Sequence, residues 1–201
     1  MSTFLSDADK RVLLQLARQA LVAAVEGRSA PPVDCATLSA EVQRPATSFV
    51  TLTRDGNLRG CIGGLKAEYP LYEDVRLHAA MAALRDYRFP PLTPDEAPLV
   101  EIEISVLSEP QPLVYDSPAT LPQLLRPHLD GVVLAQGLRR ATFLPQVWER
   151  VLTPEDFLSM LCEKMGVAPD TWRRQKLDVF TYQVEKFTES ELGLLPAQRQ
   201  P

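Results

Sequence analysis

The sequence predicts an α+β fold whose sheet is largely antiparallel. Three observations predict it. Helical and strand periodicities interleave along the whole chain. Asp55-Gly56 sits between two strand-like runs, and Asp-Gly is a strong hairpin turn. Strands and helices do not alternate regularly enough for a doubly wound parallel sheet. At 201 residues the chain suits one domain over 1–201, with room for two lobes.

The elements follow in order. Ser6 is a capping residue, with Asp7 and Asp9 where a helix dipole favours negative charge. Leu13, Leu14, Ala17, Ala20, Leu21 and Ala24 recur at three- and four-residue steps, so a helix over 7–26 ends at Gly27. The β-branched and aromatic run 49–53 and the run from Leu58 make a hairpin. A helix over 71–86 follows, then a proline-rich segment over 88–98. Val100, Ile102, Ile104 and Val106 alternate with Glu101, Glu103 and Ser105, which is a strand with one buried face. Prolines break up 110–127 around one short helical segment, and 131–135 with 140–143 form a second hairpin. Thr153-Pro154-Glu155-Asp156 starts a helix that stops at Gly166. A further helical turn over 170–175, a last strand over 179–187 and a flexible polar tail over 193–201 complete the reading.

Composition narrows the function classes. Apolar residues make up 45% of the chain, enough for a sizeable core and too many for global disorder. The formal charge of −5 gives no chain-wide basic field, which counts against nucleic acid as a partner. No run approaches the ~18 apolar residues that span a membrane, and the first residues carry no secretory apolar stretch. Cys35, Cys61 and Cys162 are odd in number and widely spaced, which fits neither a disulfide framework nor a zinc site. A cytoplasmic protein without a metal site is the expectation, and the composition names no cofactor.

Leu58-Arg59-Gly60-Cys61-Ile62-Gly63-Gly64 is the stretch that carries chemistry. In a strand Arg59 and Cys61 share a face. A guanidinium beside a thiol favours the nucleophilic thiolate, and equally it can grip a carboxylate or phosphate. Gly60 and Gly63 weaken a strand, so each marks a bulge, a special dihedral or a group approaching the backbone. The plainer alternative is a buried cysteine acting as apolar filler. Glu103 on the polar face of its strand and Thr142 in the second hairpin are further candidates to line a cleft, against plain solvent-facing or sheet-bonding roles. His78 and His128 are the only histidines, so any imidazole base for Cys61 comes from them; a packed or solvated histidine is the simpler reading.

The string Leu58 to Gly63 resembles the signature of the AMME syndrome candidate gene protein family, whose microbial members are called AmmeMemoRadiSam system protein A. Phe49-Val50-Thr51-Leu52, Arg88-Phe89-Pro90-Pro91-Leu92 with Asp95-Glu96, Glu103 to Leu107 and Ala141 to Pro145 are similar to it as well. The likeness runs from Leu13 to Glu189. It implies two similar β/α halves around one curved, barrel-like sheet, although no internal repeat is visible in the sequence. It implies no reaction. It does imply a pathway shared with a Memo-like protein and a radical-SAM protein.

Two readings follow. In the first, the chain is a binding module: Arg59, Gly60, Gly63, Glu103 and Thr142 hold an anionic small molecule or a partner protein. In the second, Cys61 is a catalytic nucleophile activated by Arg59.

Overall fold

Helix α1 (Asp7–Val25) starts where the capping residue predicts. Ser6 accepts from the Asp9 amide while the Asp9 carboxylate accepts from the Ser6 amide, and Gly27 leaves the helix with φ of 69°. The computed structural model describes residues 5–195. The tail expected over 193–201 therefore lies largely outside the described residues.

After a short helix α2 (Ala40–Gln43), β1 (Thr47–Arg54) and β2 (Asn57–Gly63) form the first hairpin. Asp55 and Gly56 turn it with positive φ, the geometry that makes Asp-Gly a hairpin signal. Helix α3 (Leu71–Leu84) follows, then β3 (Glu101–Leu107), β4 (Gln111–Pro112) and a short α4 (Leu121–Leu124). The second hairpin is β5 (Gly131–Gln136) with β6 (Arg139–Phe143). Helix α5 (Pro154–Lys164), α6 (Thr171–Arg174), β7 (Asp178–Tyr182) and β8 (Val184–Thr188) close the chain. The single strand expected over 179–187 is two strands, because the chain leaves one sheet and joins the other at Gln183.

The strands make two four-stranded sheets, β2-β1-β3-β8 and β4-β7-β5-β6, and among the described residues neither closes into a barrel. β1 pairs antiparallel with β2 and β3, and β5 with β6 and β7. The one barrel-like sheet of the expectation is thus two sheets. The two halves are real: each is a hairpin, a helix and a strand returning beside the hairpin's first strand. The fourth strands are exchanged in sequence. β4 follows β3 but pairs with β7, and β8 follows β7 but joins β3.

The chain divides accordingly into two compact units, 1–107 with 185–201, and 108–184. In the first, α1 and α3 bury Leu13, Leu14, Leu21, Val75 and Ala79 with Val50, Leu52, Ile102 and Ile104. In the second, Phe157, Leu158 and Leu161 of α5 pack with Val132, Leu134 and Trp148, whose ring stacks on Phe157 at 3.7 Å. Among the described residues no helix is long and apolar enough to cross a membrane.

Candidate functional site

The polar face of the first sheet presents the candidate residues. β1 alternates Val50 and Leu52 into the core, leaving Phe49, Thr51 and Thr53 on the opposite face. Register then fixes one row across three strands, in which Cys61 faces Thr51 and Thr51 faces Glu103. The row spans about 10 Å, since neighbouring strands lie ~4.8 Å apart. Thr51 donates its hydroxyl to the half-buried Cys61 Sγ at 3.3 Å, and Lys186 Nζ lies 3.2 Å from Glu103 Oε2. The structure thus brings Cys61 and Glu103 into one row, with Thr51 between them.

Alternation breaks just before Cys61. Leu52 faces Gly60 while Thr53 faces Leu58, so Arg59 is the extra residue of a β-bulge. Its guanidinium turns to the proline-rich segment. Nε and Nη2 donate to Glu96 at 3.3 and 3.0 Å, and Nη1 donates to the Pro90 carbonyl at 2.9 Å. Arg59 is only 13% exposed, and its charge is balanced by Glu96. The Arg59 bonds in turn hold the Glu96 carboxyl below the ordinary range, helped by the Thr93 amide.

The guanidinium beside Cys61 belongs to Arg88. The buried Asp86 carboxylate accepts from the Cys61 amide at 2.8 Å and from Arg88 Nε and Nη2 at 2.9 and 2.7 Å. Arg88 Nη2 also donates to the Cys61 carbonyl at 3.2 Å. One carboxylate and one guanidinium therefore clamp both backbone groups of Cys61. Hydrogen bonding to Arg88 holds Asp86 far below the usual carboxylate range against its own burial, and the same bonds push Arg88 up. Arg88 is 43% exposed where Asp86 is 2%, so the clamp is anchored inside and open outside.

Gly60 and Gly63 each allow a close approach, as a strand glycine implies. A Cβ on Gly60 would lie 2.4 Å from the Ala82 carbonyl oxygen of α3, and one on Gly63 would lie 2.3 Å from the Phe49 ring. The approaching groups are the protein's own helix and side chain. Thr142 lies in the second unit, where its hydroxyl donates to the Val132 carbonyl at 2.8 Å and meets the Tyr182 hydroxyl at 3.0 Å. His78 is buried beside Asp74 on α3. Among the described residues no cluster of three or more His, Cys, Asp or Glu could hold a metal ion.

Sequence reasoning missed Asp86, Thr51 and Glu96 as partners of the segment. A signal for Asp86 was present: a carboxylate two residues before Arg88, at a helix end with no capping role, needs another reason to be there.

Three comparisons bear on the chain. The AMMECR1 family model matches residues 14–187. A protein of Methanothermobacter thermautotrophicus is 40% identical over 146 residues, covering 70% of this chain and 74% of its own length. One of Thermofilum pendens is 36% identical over 204 residues, 92% of each chain. The crystal structure of an uncharacterized protein from Pyrococcus horikoshii has a TM-score of 0.79 at 31% identity, covering 98% of this chain and 96% of that one. With most of its length matched in sequence and nearly all of it in fold, the chain belongs to the AMMECR1 family.

Proposed function

We propose that this chain is a cytoplasmic binding module whose site is the Cys61–Thr51–Glu103 row with Arg88 at its edge. It takes the anionic group of a small molecule or of a partner protein, in a pathway shared with Memo-like and radical-SAM proteins. The observation that carries the reading is the clamp: buried Asp86 fixes Arg88 through Nε and Nη2, and the partly exposed side chain keeps Nη1 for a ligand. A guanidinium held in place loses little entropy when it grips a carboxylate or phosphate. Arg59, tied to Glu96, supports the site by holding the bulge against the proline-rich segment, while Gly60 and Gly63 set the path of the strand. The Thr142 hydroxyl already serves the second sheet, so on this reading it is engaged within its own unit.

The test is thermal stabilisation by citrate, phosphate and a peptide carboxylate, measured on wild type, Arg88→Ala and Cys61→Ser. At least one anion stabilises wild type and Cys61→Ser, and Arg88→Ala loses the effect. Equal stabilisation of Arg88→Ala sinks the reading. Co-purification of the Memo-like and radical-SAM proteins, lost in the same variant, would place the module in that pathway.

One observation favours the enzymatic alternative. The Thr51 hydroxyl donates to Cys61 Sγ and so orients the half-buried sulfur within the row, as a nucleophile requires. Alkylation of Cys61 against pH, with Cys35 and Cys162 as internal controls, decides it. Fast labelling at Cys61 alone, with a midpoint well below the ~8.5 of a free thiol, makes Cys61 a nucleophile; an inert Cys61 removes that role.

A further inference from the structure

β2 is an end strand of its sheet, so half of its backbone groups face away from β1. Cys61 is one such residue: its amide and carbonyl go to Asp86 and Arg88 rather than to Thr51 opposite it. In an antiparallel ladder the residues facing away from the partner strand recur at every second position. Gly63 is therefore the next one. The Gly64 amide, one residue on, returns to the ladder by donating to the Ser48 carbonyl at 3.2 Å. Among the described residues no group accepts from the Gly63 amide.

The Arg88 fork reaches toward the same place. Asp86 stands at the Cys61 amide and takes Nε and Nη2, and Nη2 also reaches the Cys61 carbonyl. The guanidinium is planar, so Nη1 lies on the side of Nη2 away from Asp86. Along the strand edge that is the side of Gly63. One charged and one neutral donor are thus neighbours off the edge of β2. The sheet face beside them is apolar. Phe49 pairs with Gly63 and leans its ring across the glycine: a Cβ there would lie 2.3 Å from Phe49 Cγ and 2.4 Å from Cδ1. No left-handed backbone requires glycine at this position; what glycine provides is room for the ring. Phe49 and Gly63 are half-buried and residues 65–69 are exposed, so this end of the strand borders solvent.

We propose that the Gly63 amide and Arg88 Nη1 together bind one carboxylate, and that Phe49 takes the aryl group that the carboxylate carries. This rests on the reading of Arg88 as the anion anchor and names the ligand class, a small aryl-bearing monocarboxylate. A carboxylate has two coplanar oxygens for two donors that lie along one edge. Asp86 already balances Arg88, which suits a single negative charge better than the two of a phosphate. The Phe49 ring gives the apolar part of the ligand a surface on which to leave water.

Ile62-Gly63 is the one Ile-Gly pair in the chain, so labelling isoleucine at its carbonyl carbon and glycine at nitrogen leaves a single correlated amide signal, that of Gly63. Hydrocinnamate, acetate, inorganic phosphate and benzyl alcohol are titrated into the full chain, and thermal stabilisation is read in parallel. The expected result is a saturable shift of the Gly63 signal with hydrocinnamate at about tenfold lower concentration than with acetate, and none with benzyl alcohol. Arg88→Ala loses both shifts. Phe49→Leu keeps them and removes the preference for the aryl acid; should that variant fail to fold, the ligand series on wild type carries the test. Equal midpoints for the two carboxylates, a preference that survives in Phe49→Leu, or phosphate binding more tightly than either carboxylate overturns this inference and leaves the reading of Arg88 standing. A stationary Gly63 signal, while anions still stabilise wild type but not Arg88→Ala, does the same. No response to any anion in either measurement, or a shift and a stabilisation that survive in Arg88→Ala, removes the two together.

Discussion

The two halves share one topology and use it differently. In the first, β2 brings Gly60 against the helix backbone, bulges at Arg59 and sets Cys61 in a row with Thr51 and Glu103. In the second, β6 takes the same place with Ala141 on its core face and Thr142 on the other. The Thr142 hydroxyl is bonded to Val132 and Tyr182, and its carbonyl accepts from Lys164 Nζ at 2.9 Å. The second hairpin bonds Thr142 within its own sheet and to the end of α5. The first recruits two carboxylates, Asp86 and Glu96, and one arginine, Arg88, from outside it. Repetition of a fold does not repeat a site; the site depends on where polar groups are left to find partners at long range.

The sharpest test of that difference is Gly60→Ala. Ala141 is accommodated in the second half, whereas at Gly60 the new methyl would meet a helix carbonyl that cannot rotate away. The expected loss is about 3 kcal/mol, read from the urea midpoint. A loss near zero would mean that the two helices pack alike and would break the comparison.

Asp86→Asn comes next, with a loss of about 2 kcal/mol. Here the pH dependence carries the sign. Asp86 is depressed in the folded state, mainly by Arg88, so its contribution is present above the unfolded carboxylate pKa of about 3.9. It is lost as pH falls below that value toward the lower folded one. Acid unfolding of wild type should therefore include a component that Asp86→Asn lacks. Identical acid profiles would show that the clamp adds nothing to the first half.

The second half should respond at the opposite end of the pH scale. Burial raises the Tyr182 hydroxyl to about 12, although its bond with Thr142 works the other way. The unfolded phenol ionises first, so stability falls as pH rises from about 10 toward that value. Tyr182→Phe should flatten part of that fall and cost about 1 kcal/mol at neutral pH. An unchanged alkaline profile would refute it.

The smallest effect is expected of Glu96→Gln, below about 1 kcal/mol because the pair with Arg59 is partly solvated. Its value lies in selectivity. Anion binding attributed to Arg88 should persist, while a strong gain in binding would show that Arg59, once released, is the better anchor.

How much was legible beforehand follows from the range of each interaction. The cap at Ser6, the turn at Asp55-Gly56 and the alternation in β3 are complete within a few residues, and the structure places them as read. Pairing Arg59 with Cys61 on one face assumes an unbroken strand. A bulge is a mismatch between two strands, and neither strand shows it alone. The two halves, implied by the family resemblance, leave no visible repeat in the residues because they share an order of elements without a shared string.

The sequence by itself determined the element types and the antiparallel character, and it marks the segment from Leu58 to Gly64 as the candidate site. Those rest on local periodicity, turn chemistry and unusual composition. Tertiary structure alone decided that Glu96 would take Arg59, that Asp86 would join Arg88 to Cys61, and that strands following one another would part into different sheets. The reason is physical. A guanidinium or a carboxylate bonds whichever partner the fold brings within about 3 Å, and that partner can be dozens of residues away in the chain.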